Sequence, residues 1–94
     1  MNLKKFFNSD LHRRIIIFFK ENPSSVDSPR GVATWVGYNR RDTKKALDEL
    51  AEAGVLDSIS TSSTSGYSFT QDKQVIKQIE KIIGQGPYDG KFLI

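Results

Sequence analysis

Two helix starts and two helix stops are packed into residues 28–54, and they leave this stretch little choice of shape. Ser28 followed by Pro29 is an N-cap with proline at the first helical position, where the ring's fixed φ and missing N–H are tolerated. Gly37 can enter the left-handed conformation that ends a helix. Asn39 is a second N-cap, and Asp42 three residues on roughly completes a capping box. Gly54 stops the chain again. Only Tyr38 separates the first stop from the second start, so the spacing predicts two helices, 28–37 and 39–54, joined by a tight turn. The first carries Val32, Ala33, Trp35 and Val36 as its apolar, core-directed residues. The second carries Thr43, Ala46, Leu47, Leu50 and Ala53 as one buried stripe.

The flanking segments supply what such a pair packs against. A helix is expected over 9–21, capped by Ser9 and opened by Asp10, an acid suited to the positive helix end. Leu11, Ile15, Phe18 and Phe19 share one face, and Ile16 and Ile17 make the helix apolar on more than one side. Residues 22–28 read as a loop. Val55 to Thr70 reads as a β-hairpin: Val55, Leu56 and Ile59 lead in, the Ser/Thr run 60–65 with Gly66 forms a polar tip, and Tyr67 and Phe69 alternate with Ser68 and Thr70 on a wet face. Thr70 is the expected cap of a last helix, 71–84, striped by Val75, Ile76, Ile79, Ile82 and Ile83. Residues 85–94 form a tail ending in Phe92-Leu93-Ile94.

The segments Gly31-Val32-Ala33-Thr34-Trp35-Val36-Gly37, Ala46-Leu47 with Leu50 and Ala53-Gly54-Val55-Leu56, and Tyr67-Ser68-Phe69-Thr70 together resemble the winged helix-turn-helix superfamily, with regulators of the MarR and ArsR kind as the natural comparison. The resemblance runs from Ser28 to Thr70. It implies a mainly α fold with a small β-hairpin: a three-helix core, a wing and a C-terminal helix, in one domain spanning 1–94. It also implies duplex DNA as partner, with the 39–54 helix reading the major groove from its N-terminal residues. The wing departs from many members, which carry Arg or Lys there: its Ser/Thr tip bears no charge and reads as a mobile polar loop, with phosphate contact through hydroxyls and N–H groups as the alternative.

Charge points the same way by a separate route. Residues 1–45 hold ten Lys/Arg against four Asp/Glu, and residues 46–94 four against seven. On a helical wheel the apolar stripe of the 39–54 helix centres at about 280° from Arg40, while Arg40, Arg41, Lys44 and Lys45 spread over about 0° to 140°. Four cations near a helix N-terminus oppose the helix dipole. Phosphates explain them better than the isolated fold does. The bland reading is local pairing with Asp42, Asp48 and Glu49. The candidate DNA-binding residues are therefore Ser28, Arg30, Asn39, Arg40, Arg41, Lys44 and Lys45. Ser28 and Arg30 open the preceding helix, where a phosphate can sit. Arg13 and Arg14 read as solvated, and Tyr38 as packing or phosphate contact.

Other functional classes find little support. The chain has no cysteine and a single histidine, His12, which excludes disulfides, thiolate zinc sites and cysteine nucleophiles; no catalytic residue, metal or cofactor is expected. No phosphate loop is present. The longest apolar run, Ile15 to Phe19, is too short to span a bilayer, and polar residues interrupt any signal-like start after Phe6 and Phe7, so a cytoplasmic protein is expected. The function expected is sequence-specific duplex DNA binding as a small transcriptional regulator. The rival is a winged-helix adaptor that binds protein instead. Phe6, Phe7, Ile17, the isoleucine-rich last helix and Phe92-Leu93-Ile94 either fold back on the domain or build a homodimer through the terminal segments.

Overall fold

The computed structural model describes residues 2–60, 62, 63 and 65–85. A short 3₁₀ helix, Leu3–Asn8, leads into α1 (Asp10–Glu21), β1 (Val26–Asp27), α2 (Pro29–Val36), α3 (Arg40–Glu52), β2 (Leu56–Ser60), β3 (Ser65–Phe69) and α4 (Lys73–Gln85). Residues 86–94, and with them Phe92-Leu93-Ile94, lie outside the described residues, as do Thr61 and Thr64 of the hairpin tip.

The caps act where the sequence puts them. Ser9 Oγ accepts from the His12 N–H, Ser28 Oγ from Gly31 and Asn39 Oδ1 from Asp42. Each satisfies an N–H that the helix itself leaves unpaired. The capping box is incomplete in one respect. Asp42 turns its carboxylate to the Asn39 side-chain amide (Nδ2 to Oδ2, 2.9 Å) and not to the backbone. Gly37 and Gly54 have φ of 77° and 83°, the left-handed values that end α2 and α3. The N–H groups of Gly37 and Tyr38 converge on the Ala33 carbonyl, so the chain reverses within the turn and Asn39 starts α3 at once.

α1 packs against the 3₁₀ helix, α2, α3 and β3. Ile15, Ile16, Ile17 and Phe19 are all buried on it, which accounts for its having more than one apolar side. Leu3, Phe6 and Phe7 of the 3₁₀ helix enter the same core, joined by Val32, Val36, Ala46, Leu47, Leu50, Val55, Leu56, Tyr67, Phe69 and Ile79. Of the two fates open to Phe6, Phe7 and Ile17, all three are buried in their own chain. Burying a large apolar side chain stabilises by about 1.5–3 kcal/mol. That gain orders a segment whose spacing carries no helix or strand period. On α4, Ile79 is buried, while Val75, Ile76, Ile82 and Ile83 are half-buried against the core.

Four expectations need correction. Residues 22–28 are not all loop: β1 pairs antiparallel with β3 (Val26 with Ser68, Asp27 with Tyr67), making a three-stranded sheet in the order β1-β3-β2. Two residues are too few to show alternation. Trp35 is not core but 72% exposed, stacked on Phe18 with ring centroids 5.9 Å apart. The α2 core face is narrow, and Val32, Ala33 and Val36 fill it. Thr70 is buried and not on a wet face: its N–H donates to the Val55 carbonyl as the strand ends. Nor does it cap α4. Its Oγ1 accepts from the Asp72 N–H, and Asp72 in turn accepts from Gln74, so α4 begins at Lys73. Thr43 does lie in the predicted stripe, and its buried hydroxyl finds no partner among the described residues.

Candidate nucleic-acid interface

Three elements converge on one cleft. The tight turn after Gly37 leads directly into α3, which packs against α2. The β2–β3 hairpin brings its tip to the same side. Ser28, Pro29 and Arg30 from the start of α2, Arg40 and Lys44 from α3, and Ser62, Ser63 and Ser65 from the hairpin line a cleft of about 640 Å³. Two guanidiniums and an ammonium line it, and among the described residues no carboxylate does. The cationic and hydroxyl groups suit an anion, and the start of α2 adds the positive end of a helix.

Four of the seven sequence-predicted residues, Ser28, Arg30, Arg40 and Lys44, meet in this cleft. Asn39, Arg41 and Lys45 are exposed on the same helix end but do not line it. Ser28 and Asn39 spend their side-chain oxygens on capping. The wing serines come in although their segment carries no charge. They line the cleft with the cations at the end of a hairpin in which Leu56 pairs with Phe69 and Ser60 with Ser65.

The local-pairing account of the basic cluster holds for one residue. Lys44 Nζ donates to Asp48 Oδ2 at 2.6 Å. Asp42 is taken by Asn39, and Glu49 Oε1 lies 3.0 Å from His12 Nε2. Among the described residues, the side chains of Arg30, Arg40, Arg41 and Lys45 pair with no acid.

Asp48 has a second partner, the hydroxyl of Tyr67 on β3, which donates to Oδ1. Burial works to raise the Asp48 carboxyl, but the hydrogen bonds from Lys44 and Tyr67 outweigh it and its pKa is lowered. The bond to Asp48, and then the neighbouring Tyr67 hydroxyl, raise Lys44. Burial and the Asp48 hydrogen bond together push the Tyr67 phenol up. α3 and the wing are thus tied at the edge of the cleft.

A similar cluster lies away from it. Tyr38 Oη donates to Asp10 Oδ2 at 2.7 Å, Arg14 Nε to the same oxygen at 2.8 Å, and Arg13 to Oδ1. The Tyr38 bond, followed by the two guanidiniums, holds the Asp10 carboxyl below its ordinary value, and Asp10 raises Tyr38 in return. Arg13 and Arg14, read as solvated, are paired, because Asp10 one turn earlier faces both. His12 bridges Ser9 and Glu49 and stacks on Phe6. No helix among the described residues is long and apolar enough to cross a membrane.

No family model and no curated protein sequence matches this chain. Solved structures do. A type III plasmid segregation TubR superposes with a TM-score of 0.72 at 12% identity, over 96% of this chain and 92% of that one. A predicted DNA-binding transcriptional regulator from E. coli gives 0.67 at 18% identity, over 89% and 85%. A homodimeric winged helix-turn-helix DNA-binding domain from Mycobacterium bovis, a possible ArsR-family transcriptional regulator, gives 0.59 at 12% identity, over 95% and 91%. The element order, the tight turn between α2 and α3 and these superpositions agree: the chain has the winged helix-turn-helix fold.

Proposed function

We propose that this protein binds duplex DNA in a sequence-specific way as a small transcriptional regulator, with the start of α3 in the major groove. The observation that carries the reading is the cleft in which Arg30, Arg40 and Lys44 meet the hydroxyls of Ser28 and the wing, with no acid among the described residues that line it. Backbone phosphates fit such a lining, since arginine and lysine neutralise them and hydroxyls and N–H groups orient them. Arg41 and Lys45, exposed on the same helix end, extend the contact, and one arginine is available for a bidentate grip on guanine. Asn39 contributes by starting α3 at the right place. The regulators among the structural neighbours support the reading, and no catalytic role or cofactor is proposed.

We further propose a homodimer that places two α3 helices on two half-sites about one DNA turn apart. With Phe6, Phe7 and Ile17 buried within the chain, the remaining candidate among the described terminal segments is α4, whose Val75, Ile76, Ile82 and Ile83 are only half covered. Light scattering at tens of micromolar returns twice the chain mass if this holds, and the chain mass if it does not.

The DNA reading is tested by anisotropy titration of random-sequence duplex at several salt concentrations, with wild type and with a folded variant changed to alanine at Arg40, Arg41, Lys44 and Lys45. The expected wild-type affinity falls log-linearly with salt, and the variant loses most of that slope. A folded wild type that ignores duplex at low salt rejects it. One observation favours the second reading, a protein-binding adaptor: Trp35 stands exposed on α2 with Phe18 beside it, the kind of aromatic anchor that interfaces use.

A further inference from the structure

Every other candidate phosphate ligand on α3 lacks an acid partner among the described residues; Lys44 has one, and it is held in place from the wing. Asp48, one turn further along α3, accepts Lys44 through Oδ2 at 2.6 Å and the Tyr67 hydroxyl through Oδ1. Tyr67 is 2% exposed, so the carboxylate is anchored to a side chain that cannot move without disturbing the core. The Lys44 and Asp48 side chains are 46% and 50% exposed. We infer that Asp48 is a built-in competitor for the DNA phosphate at Lys44: it holds this lysine in the absence of DNA, yields it on binding, and thereby sets how weakly the domain grips unselected duplex. The inference rests on the DNA reading above.

The exchange follows from the geometry. An exposed lysine–carboxylate pair one turn apart is weak, so an approaching phosphate can displace it. The lysine moves, because its four-carbon stem is flexible while Tyr67 pins the carboxylate. Neutralising a phosphate releases a condensed counterion. The carboxylate left behind takes a cation back from solution, or stands near phosphate without one. In the first case the ion release gained from Lys44 is offset; in the second, like-charge repulsion opposes the contact. Contacts to a correct base sequence would then have to make up what Lys44 alone does not provide, which suppresses binding at wrong sites.

Asp48→Asn tests this, because the amide oxygen can still accept from Tyr67 while the charge is gone. The measurement is anisotropy with random-sequence duplex across salt concentrations, for wild type, Asp48→Asn, Lys44→Met and the double variant, each checked for folding by circular dichroism. Asp48→Asn is expected to tighten binding by roughly three- to tenfold at low salt and to steepen the log–log salt slope by up to about 0.9, one phosphate's worth. The gain is expected to shrink to within about twofold in the Lys44→Met background, since no lysine is left to release. A gain that persists undiminished there reflects net charge alone and overturns the inference. So does an Asp48→Asn protein with unchanged or weaker binding. A wild type that shows no salt-dependent binding at all removes the DNA reading, and this inference with it.

Discussion

Asp10, at the start of α1, and Asp48, midway along α3, are built alike. Each accepts a hydrogen bond from a tyrosine further along the chain and pairs with cations of its own helix, two for Asp10 and one for Asp48. They differ in what the cations face. Arg13 and Arg14 both pair with Asp10, and Arg13 also donates to the Phe7 carbonyl at 3.2 Å, which fastens the 3₁₀ helix to α1. Lys44 instead lines the cleft while it touches Asp48. The tyrosines differ as well: Tyr67 is buried and Tyr38 half-buried. A carboxylate shared by a tyrosine and cations of its own helix therefore makes a structural joint in one place and, as proposed above, an exchangeable contact in the other. Two arginines, one of them also bonded to the Phe7 carbonyl, hold the first; a single flexible lysine lining the cleft makes the second.

The largest expected effect breaks the comparison at the tyrosine rings. Tyr67→Ala should cost about 3–5 kcal/mol, as large aromatic truncations in a core do, and Tyr38→Ala clearly less, read as shifts in urea midpoint. If the two cost the same, the wing strand is not part of the core. Removing only the hydroxyls gives a smaller difference. Tyr67→Phe should cost about 1 kcal/mol, the scale of a hydrogen bond whose acceptor water can partly re-satisfy, and Tyr38→Phe less again.

pH treats both clusters together. Asp10 and Asp48 have lowered pKa values, so their contribution is complete above the ordinary carboxylate value of 3.8 and is lost as pH falls through their folded values. Tyr38, Tyr67 and Lys44 are raised, so theirs is complete below the ordinary 10.0 and 10.5 and lost as pH climbs through the folded values. Thermal melts should therefore show a plateau across neutral pH with a fall at each end. Loss of stability already between pH 5 and 6 would point to another group. The smallest effect sharpens the contrast between stability and function. Lys44→Met should move stability by no more than about 0.5 kcal/mol, as exposed pairs do, yet weaken duplex binding measurably in the titrations above.

Much of the architecture was legible because it is written in local chemistry. Ser9, Ser28, Asn39, Gly37 and Gly54 act within a turn of their own positions, and the boundaries of α1, α2 and α3 follow from them. The alternation at Tyr67 and Phe69 marked the hairpin in the same way. What escaped depended on distant partners. β1 exists only because β3 offers an edge to Val26 and Asp27. Trp35 looked like core by residue type, but Val32, Ala33 and Val36 had already filled the face that α1 and α3 present. The cation cluster was visible, and the Ser/Thr tip could be named as a possible phosphate contact, but which serines reach the cleft depends on where the strand register delivers them.

The sequence by itself determined the order of helices and hairpin, the sharp turn between α2 and α3, and the emergence of Arg40, Arg41, Lys44 and Lys45 on the side of α3 away from its apolar stripe. Those are consequences of capping, periodicity and helix pitch, each set by residues a few positions apart. Only the tertiary structure decided that Leu3, Phe6 and Phe7 complete the core, that the wing serines share a cleft with Arg30 and Arg40, and that Asp48 is claimed by both Lys44 and Tyr67. Burial and partner choice depend on which surfaces meet once the chain has closed on itself, and no local pattern carries that information.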